Sequence, residues 1–217
     1  MTDYRRQAAI FDPSHHATKK VAIIGLGNIG SHTALALARM GVQNLTVFDF
    51  DSVEEHNLSS QAYSIEHVGY PKVDAIAETI VDTINSDAEV ETVPLPYVNQ
   101  PLGDDTIVIC AVDSMIERRK IQRAILESGQ NPLIIDGRMG GGQLEVHVSR
   151  AASWDESMPE QADTDPCSAR YISYTSYIIA GFIANTVKRI WQGERYTKQV
   201  IFHADTYDII REFYDES

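Results

Sequence analysis

Gly25-Leu26-Gly27-Asn28-Ile29-Gly30 places three glycines at a spacing that lets a backbone turn wrap around a phosphate. Gly25 permits the tight turn, Gly27 lets a phosphate approach the main chain, and Gly30 lets a helix pack closely on a strand. A helix that starts in this loop presents unpaired N–H groups and the positive end of its dipole to phosphate oxygens. Asp49 follows at the distance where a carboxylate accepts hydrogen bonds from ribose hydroxyls. By themselves these residues describe a dinucleotide site of the NAD type, and the plainer alternative is a glycine turn that binds nothing. A second reactive group is Cys167, within Asp165-Pro166-Cys167-Ser168-Ala169-Arg170. A thiolate at a helix start with a guanidinium nearby is stabilised and nucleophilic; its plainer role is that of a loop or capping cysteine. Cys110 falls in an apolar run and reads as an inert core residue.

Such groups need a sheet to position them. Val21-Ala22-Ile23-Ile24-Gly25 reads as a buried strand, followed by a helix over 31–40 that Gly41 can terminate. Residues 44–50 form a second strand that carries Asp49. Pro71 opens a helix reaching about residue 84, with Val73, Ile76, Ile80, Val81 and Ile84 on one face. Residues 106–111 make another buried strand, 115–126 a helix, 133–136 an extended segment and 143–148 an alternating strand. The acidic stretch 153–166 holds two prolines and no apolar period, which predicts a long exposed crossover loop within 150–167. Residues 171–191 read as a buried core helix in which Ala180, Gly181 and Ala184 allow close packing, and 199–214 as one or two terminal strands. The alternation predicts a Rossmann-like α/β fold: a doubly wound, mostly parallel sheet with helices on both faces. It also predicts a single domain over 1–217 with an N-terminal arm over 1–19.

Composition narrows the function. A chain of 217 residues, 43% hydrophobic, can bury one substantial core. The formal charge of -13, with Lys and Arg scattered, argues against a nucleic-acid partner. No apolar run is long enough to span a bilayer, and Met1-Thr2-Asp3-Tyr4-Arg5-Arg6-Gln7 lacks the apolar core of a signal, so the expectation is a cytoplasmic protein without a membrane partner. Two cysteines provide no disulfide framework and no Cys-x-x-Cys zinc pair. His15-His16 reads as solvent-exposed, and His56 stands beside Asn57 without partners for a defined role. Gly140-Gly141-Gly142 either leaves room for an extended peptide tail or forms a flexible turn.

The stretch Asp49-Phe50-Asp51-Ser52-Val53, then Asn57-Leu58-Ser59-Ser60-Gln61 and Gly69-Tyr70-Pro71-Lys72, resembles the ThiF/MoeB/HesA family, bacterial relatives of ubiquitin-activating enzymes. That family carries an Asp-x-Asp-x-Val strand end, an Asn-Leu-x-Arg-Gln run and a Gly-x-Pro-Lys helix start. Tyr4-Arg5-Arg6-Gln7 and Val112-Asp113-Ser114 with Arg118 extend the likeness over most of 4–145. The resemblance implies that Gly25, Gly27, Asn28 and Gly30 hold ATP phosphates, that Asp49, Asp51, Asn57 and Gln61 complete the nucleotide site, that Lys72 meets the α-phosphate and that Asp113 holds Mg²⁺. It implies a homodimer in which Arg6 reaches the neighbouring subunit's site, and a Cys167 that takes over the activated acyl group or carries sulfur.

The implied activity is Mg-ATP-dependent adenylation of the C-terminal carboxylate of a ubiquitin-like or sulfur-carrier protein or a peptide. The chemistry asks for such a set, because a carboxylate attacking a phosphate brings two anions together. Two positions depart from the pattern: Ser60 replaces the arginine and Ser114 the asparagine that often follows the metal-binding aspartate. A hydroxyl does not replace a guanidinium's charge-assisted bonds, and Arg5 is the candidate to substitute. The rival readings are an NAD-dependent oxidoreductase and a non-catalytic nucleotide-binding scaffold.

Overall fold

The computed structural model describes residues 2–103, 105–158 and 172–214. One eight-stranded sheet runs through it in the order β3-β2-β1-β4-β5-β6-β7-β8. The strands are β1 (Lys20–Ile24), β2 (Asn44–Phe48), β3 (Glu89–Val93), β4 (Ile107–Cys110), β5 (Leu133–Gly140), β6 (Gln143–Arg150), β7 (Thr197–His203) and β8 (Asp208–Phe213). β3, β2, β1, β4 and β5 pair in parallel, whereas β5 to β8 form an antiparallel meander. The first three strands extend the sheet in one direction and β4 and β5 in the other. The carboxyl ends of β1 and β4 therefore flank a topological switch point, where open α/β sheets leave a crevice.

Helices cover both faces. α1 (Asn28–Met40), α2 (Lys72–Glu78) and α4 (Ser173–Trp191) share one core, in which Ile23, Val47 and Ile109 of the sheet meet Leu37, Ile76 and Ile183. α3 (Met115–Glu127) covers the other face, where Ile121 and Ile125 pack on Ile24, Phe48, Val108 and Ile134. The central strands are buried on both sides, which is why they read as continuous apolar runs. Gly41 ends α1 at a φ of 92°, and its N–H and that of Val42 bond to the Ala38 and Leu37 carbonyls. No helix among the described residues is long and apolar enough to cross a membrane.

Three expectations are corrected, and one that the sequence left open is decided. The helix expected over 71–84 is α2 followed by a π turn over Thr79–Ile84. Thr79 and Thr83 donate their hydroxyls to the Ala75 and Thr79 carbonyls, and this β-branched run widens the turn. The first part of the expected crossover loop is instead a 3-10 helix over Ala151–Ser157, whose Trp154 is fully buried. Gly141, at a φ of 58°, and Gly142 make the tight β5–β6 hairpin, so the glycine run is a turn. Gly181 faces open space on α4, and Ala180 and Ala184 alone supply the close packing. β3 is absent from the sequence expectations. It is an edge strand whose Glu89 and Glu91 face solvent, leaving too little apolar alternation to detect.

Candidate functional site

A cavity of about 540 Å³ opens at the switch point. Gly25, Gly27 and Asn28 line it from the β1–α1 loop, Asp49 and Asp51 from the end of β2, and Asp113 from the segment after β4. Asn57, Gln61 and Lys72 line it from the connection into α2. Nine of the sequence-predicted positions thus surround one space. Gly25 adopts a φ of 90°, and a Cβ there would lie 3.0 Å from the Ala111 and Val112 backbone. At Gly27 an added Cβ meets nothing within 4 Å, so the main chain is open on that side. No side chain caps α1 at Gly27, which leaves the first-turn N–H groups for an anion.

Gly30 does not line the cavity but sets its shape: a Cβ there would fall 1.8 Å from the Gly25 carbonyl oxygen. Gly30→Ala is therefore expected to displace the loop, lower stability by about 1–3 kcal/mol and weaken nucleotide binding. Urea unfolding and ATP titration check both, and unchanged ATP affinity would refute the role given to the loop's shape.

Asp49 accepts the Leu26 N–H at 2.6 Å and the Asp51 N–H at 2.8 Å, one on each oxygen. Burial pushes its carboxyl up, against the lowering effect of Lys72 and the two backbone bonds. Lys72 is buried near the start of α2, and its Nζ donates to Asp51 Oδ2 at 2.9 Å. This pairing holds the long side chain along the cavity wall. Asn57 is buried and accepts the Glu54 N–H in a capping box. Ser60 donates its hydroxyl to Asn28 Oδ1 at 2.9 Å, so it supports the glycine loop where an arginine was expected. Asp113 is exposed.

Two candidates are not brought to this cavity, and a third falls outside the described residues. Arg6 is exposed in the N-terminal turns and does not line it. Arg5 does not substitute for the missing arginine, since its guanidinium is held by Asp3 at 2.6 Å and points to solvent. Cys167, with Arg170, lies outside the described residues. His56 reaches the rim, where it faces Glu54 at 3.4 Å.

Sequence reasoning missed two parts. Phe50, Leu95, Pro96 and Tyr97 form an apolar slot beside Asp49, with Tyr97 edge-on to Phe48. The apolar trio follows the overlooked β3; locating that strand would have exposed it. The other part is a buried charge cluster. Arg118, fully buried on the cavity wall, donates to Asp136 Oδ1 at 2.9 Å and to the Gly137 carbonyl at 3.0 Å. Arg138 and the Trp154 indole N–H donate to Asp136 Oδ2 at 2.6 and 2.9 Å. Burial alone would raise the Asp136 carboxyl, but the two guanidiniums and the indole outweigh it and hold it at about 2.

The donor set fits a nucleotide-borne cation. Among the described residues no group of three His, Cys, Asp or Glu gathers to hold a metal ion unaided. A single carboxylate such as Asp113 suits Mg²⁺, which keeps water and phosphate oxygens as its other ligands.

Comparison with known proteins places this geometry in context. The chain is 33% identical over 129 residues to ubiquitin-like modifier-activating enzyme 5 of Drosophila persimilis, an alignment covering 52% of this chain and 33% of that protein. The chain thus spans about a third of the length of that relative. Its fold is similar to that of E. coli MccB solved with ATP, with a TM-score of 0.76, 18% identity and coverage of 94% of this chain and 65% of that one. PaaA is also similar in fold, with a TM-score of 0.73, 23% identity and coverage of 92% and 65%. The model of the ThiF family matches residues 4–215, and the chain belongs to that family.

Proposed function

We propose that the chain is a Mg-ATP-dependent adenylyltransferase that activates the C-terminal carboxylate of a ubiquitin-like protein, a sulfur-carrier protein or a peptide. The observation that carries this reading is the convergence of an open Gly27 backbone, the Lys72 ammonium and the Asp113 carboxylate on one cavity. In it, adenine enters the slot of Phe50, Leu95, Pro96 and Tyr97, and the Asp49 oxygens accept the ribose hydroxyls with their remaining lone pairs. The triphosphate then lies over Gly27 and the first turn of α1. Lys72 meets the α-phosphate, where negative charge builds as the substrate carboxylate attacks and pyrophosphate departs. Mg²⁺ bound at Asp113 would supply charge neutralisation at the phosphate oxygens.

The partner class rests on the modifier-activating relative named above. Arg6, exposed and away from its own cavity, is available to a neighbouring subunit in a homodimer. Cys167 is assigned the acceptance of the acyl group or of sulfur.

The experiment is isotope exchange between pyrophosphate and ATP with the full chain and glycine-ended partner proteins. Exchange stimulated by such a partner is the expected result. The same samples report a thiol-labile conjugate if Cys167 carries the acyl group, and sedimentation reports the dimer. Saturable NADH binding that ATP does not compete away, without any exchange, would overturn the reading in favour of the oxidoreductase that the glycine loop and Asp49 also allow. ATP binding with no exchange under any partner would leave the scaffold reading.

A further inference from the structure

The end of β2 and the start of α2 are joined by more than one ion pair. Val53 donates its N–H to the Tyr70 carbonyl and accepts that of Gly69, each at 2.8 Å, and an isolated antiparallel bridge pairs Ser52 with Pro71. The Lys72 N–H, one of those that the first turn of α2 leaves without a helical partner, donates to the Asp51 carbonyl at 2.9 Å. These bonds make a short ribbon that brings Asp51 beside Lys72 at the wall of the nucleotide cavity. Asp51 therefore grips Lys72 twice, through its carbonyl at the main chain and through Oδ2 at Nζ, 2.9 Å away. The first grip fixes where the side chain starts and the second where it ends. A free lysine side chain samples many rotamers, and tethering both ends removes most of that freedom before any reaction begins.

Asp51 is itself held from the other side. Its N–H donates to Asp49 Oδ1 at 2.8 Å, and Asp49 Oδ2 accepts the Leu26 N–H at 2.6 Å. A continuous set of hydrogen bonds thus runs from the glycine loop through Asp49 and Asp51 to the Lys72 ammonium. It registers the cradle for the phosphates against the charge that meets one of them. The ammonium has three N–H donors; Asp51 Oδ2 takes one and leaves the others for phosphate oxygens. Asp51 is a half-exposed carboxylate in a cavity for an anion, so by itself it repels phosphate. A residue that repels the ligand and aims the group that stabilises the reaction acts in opposite directions on affinity and on rate.

Resting on the adenylation reading, we propose that Asp51 is a positioning residue of that reaction rather than the nucleotide ligand that the family likeness implies. It acts through Lys72, whose ammonium it aims at the transferring phosphate. The charge that develops as the substrate carboxylate attacks is stabilised by a group already in place, and an ammonium displaced by an ångström forfeits that advantage.

The test uses the full chain with a partner protein that stimulates pyrophosphate exchange. Asp51→Ala is expected to lower exchange at saturating ATP by about 30- to 100-fold, the scale of an ångström misplacement, while the dissociation constant for ATP does not rise. The double-mutant cycle with Lys72→Met shows through which group Asp51 acts. Once the ammonium is gone Asp51 has nothing to aim, so the double variant should exchange at least as fast as Lys72→Met alone. A merely structural carboxylate would cost the same in both backgrounds. Should Asp51→Ala melt far below the wild type, Asp51→Asn, which keeps the shape and weakens the pairing, takes its place in the cycle. An undiminished Asp51 penalty in the Lys72→Met background, or an ATP affinity lowered about tenfold by the single substitution, the mark of a lost ligand contact, overturns the positioning role and leaves adenylation standing. No exchange from the wild type with any partner overturns the adenylation reading and this proposal with it.

Discussion

Replacing Lys72 by methionine is expected to lower ATP–pyrophosphate exchange by about 10³-fold, and Asp113→Ala to lower it at least as far, because the first removes a preorganised positive charge aimed at the transferring phosphate and the second the carboxylate that would hold the neutralising cation. A thousandfold loss corresponds to about 4 kcal/mol of transition-state stabilisation. For a side chain that meets the phosphate directly, such a value is reached only where the charge is held away from water and needs no reorganisation during the reaction. Lys72 meets that condition: its side chain is 7% exposed and its Nζ is fixed 2.9 Å from Asp51. Methionine keeps the apolar stem that packs near the start of α2 and leaves Asp51 half exposed to water, so the fold is expected to survive. Thermal unfolding of the variant alongside the wild type separates a lost charge from a lost fold. Lys72→Arg is expected to restore little, since the planar guanidinium does not fit the ammonium's pairing with Asp51 along this wall. Asp113 contributes differently. It is exposed, and its value lies in the cation it would hold between the carboxylate and the phosphates. Exchange within tenfold of wild type in either variant would remove that residue from the machinery, however well it lines the cavity.

The parts of this architecture legible in the sequence are those whose causes are local. The glycine spacing at Gly25, Gly27 and Gly30 marked the turn because each glycine answers a backbone requirement within a few residues, and Gly41 marked the end of α1 for the same reason. Asp49 and Asp113 follow from the ends of β2 and β4, so recognising the strands and their parallel order is enough to bring these two together, whereas Lys72 enters through the family resemblance. Effects that depend on long-range partners were hidden. Trp154 sits in an acidic stretch that reads as solvated loop, and only Asp136, far along the chain and on the sheet, explains its burial. Arg118 enters the sequence reading only through the family likeness, and its burial is explained by Asp136 on β5. Arg5 looked available because nothing in the pattern weighs its near neighbour Asp3 as a competitor for the guanidinium. The polar face of β6 was open to detection, since Gln143, Glu145 and His147 alternate with Leu144, Val146 and Val148. The alternation predicts the strand, but nothing local separates Glu145 and His147 from ordinary surface residues.

Asp136→Asn is expected to cost about 3–5 kcal/mol of folding stability, the penalty of leaving buried charge without its counter-ion. Asp136 is fully buried and is the shared acceptor of Arg118, Arg138 and Trp154, so the neutral amide leaves two guanidiniums facing one dipole. Arg118 is itself fully buried and cannot turn to water without disturbing the wall of the nucleotide cavity. Against the roughly 5–15 kcal/mol that separates folded from unfolded domains, this is a large fraction, and the urea midpoint should fall with little change in slope. Trp154→Phe, which removes one hydrogen bond to a charged group and keeps most of the ring, is expected to cost only about 1.5–3 kcal/mol. The pH dependence gives an independent check. The Asp136 carboxyl is held at about 2 in the folded chain, below the value of about 3.9 it has when unfolded. A carboxyl depressed in the folded state stabilises above its unfolded value and loses that contribution as pH falls through its folded value. Wild-type stability should therefore drop between about pH 5 and pH 2, and Asp136→Asn should lack this component of the drop. Two observations would sink the argument: a variant within about 1 kcal/mol of wild type, since this lies below the penalty for breaking a buried pair, or one that keeps the full acid dependence. Either would mean that water already reaches these guanidiniums and that the wall of the nucleotide cavity is held by packing rather than by charge.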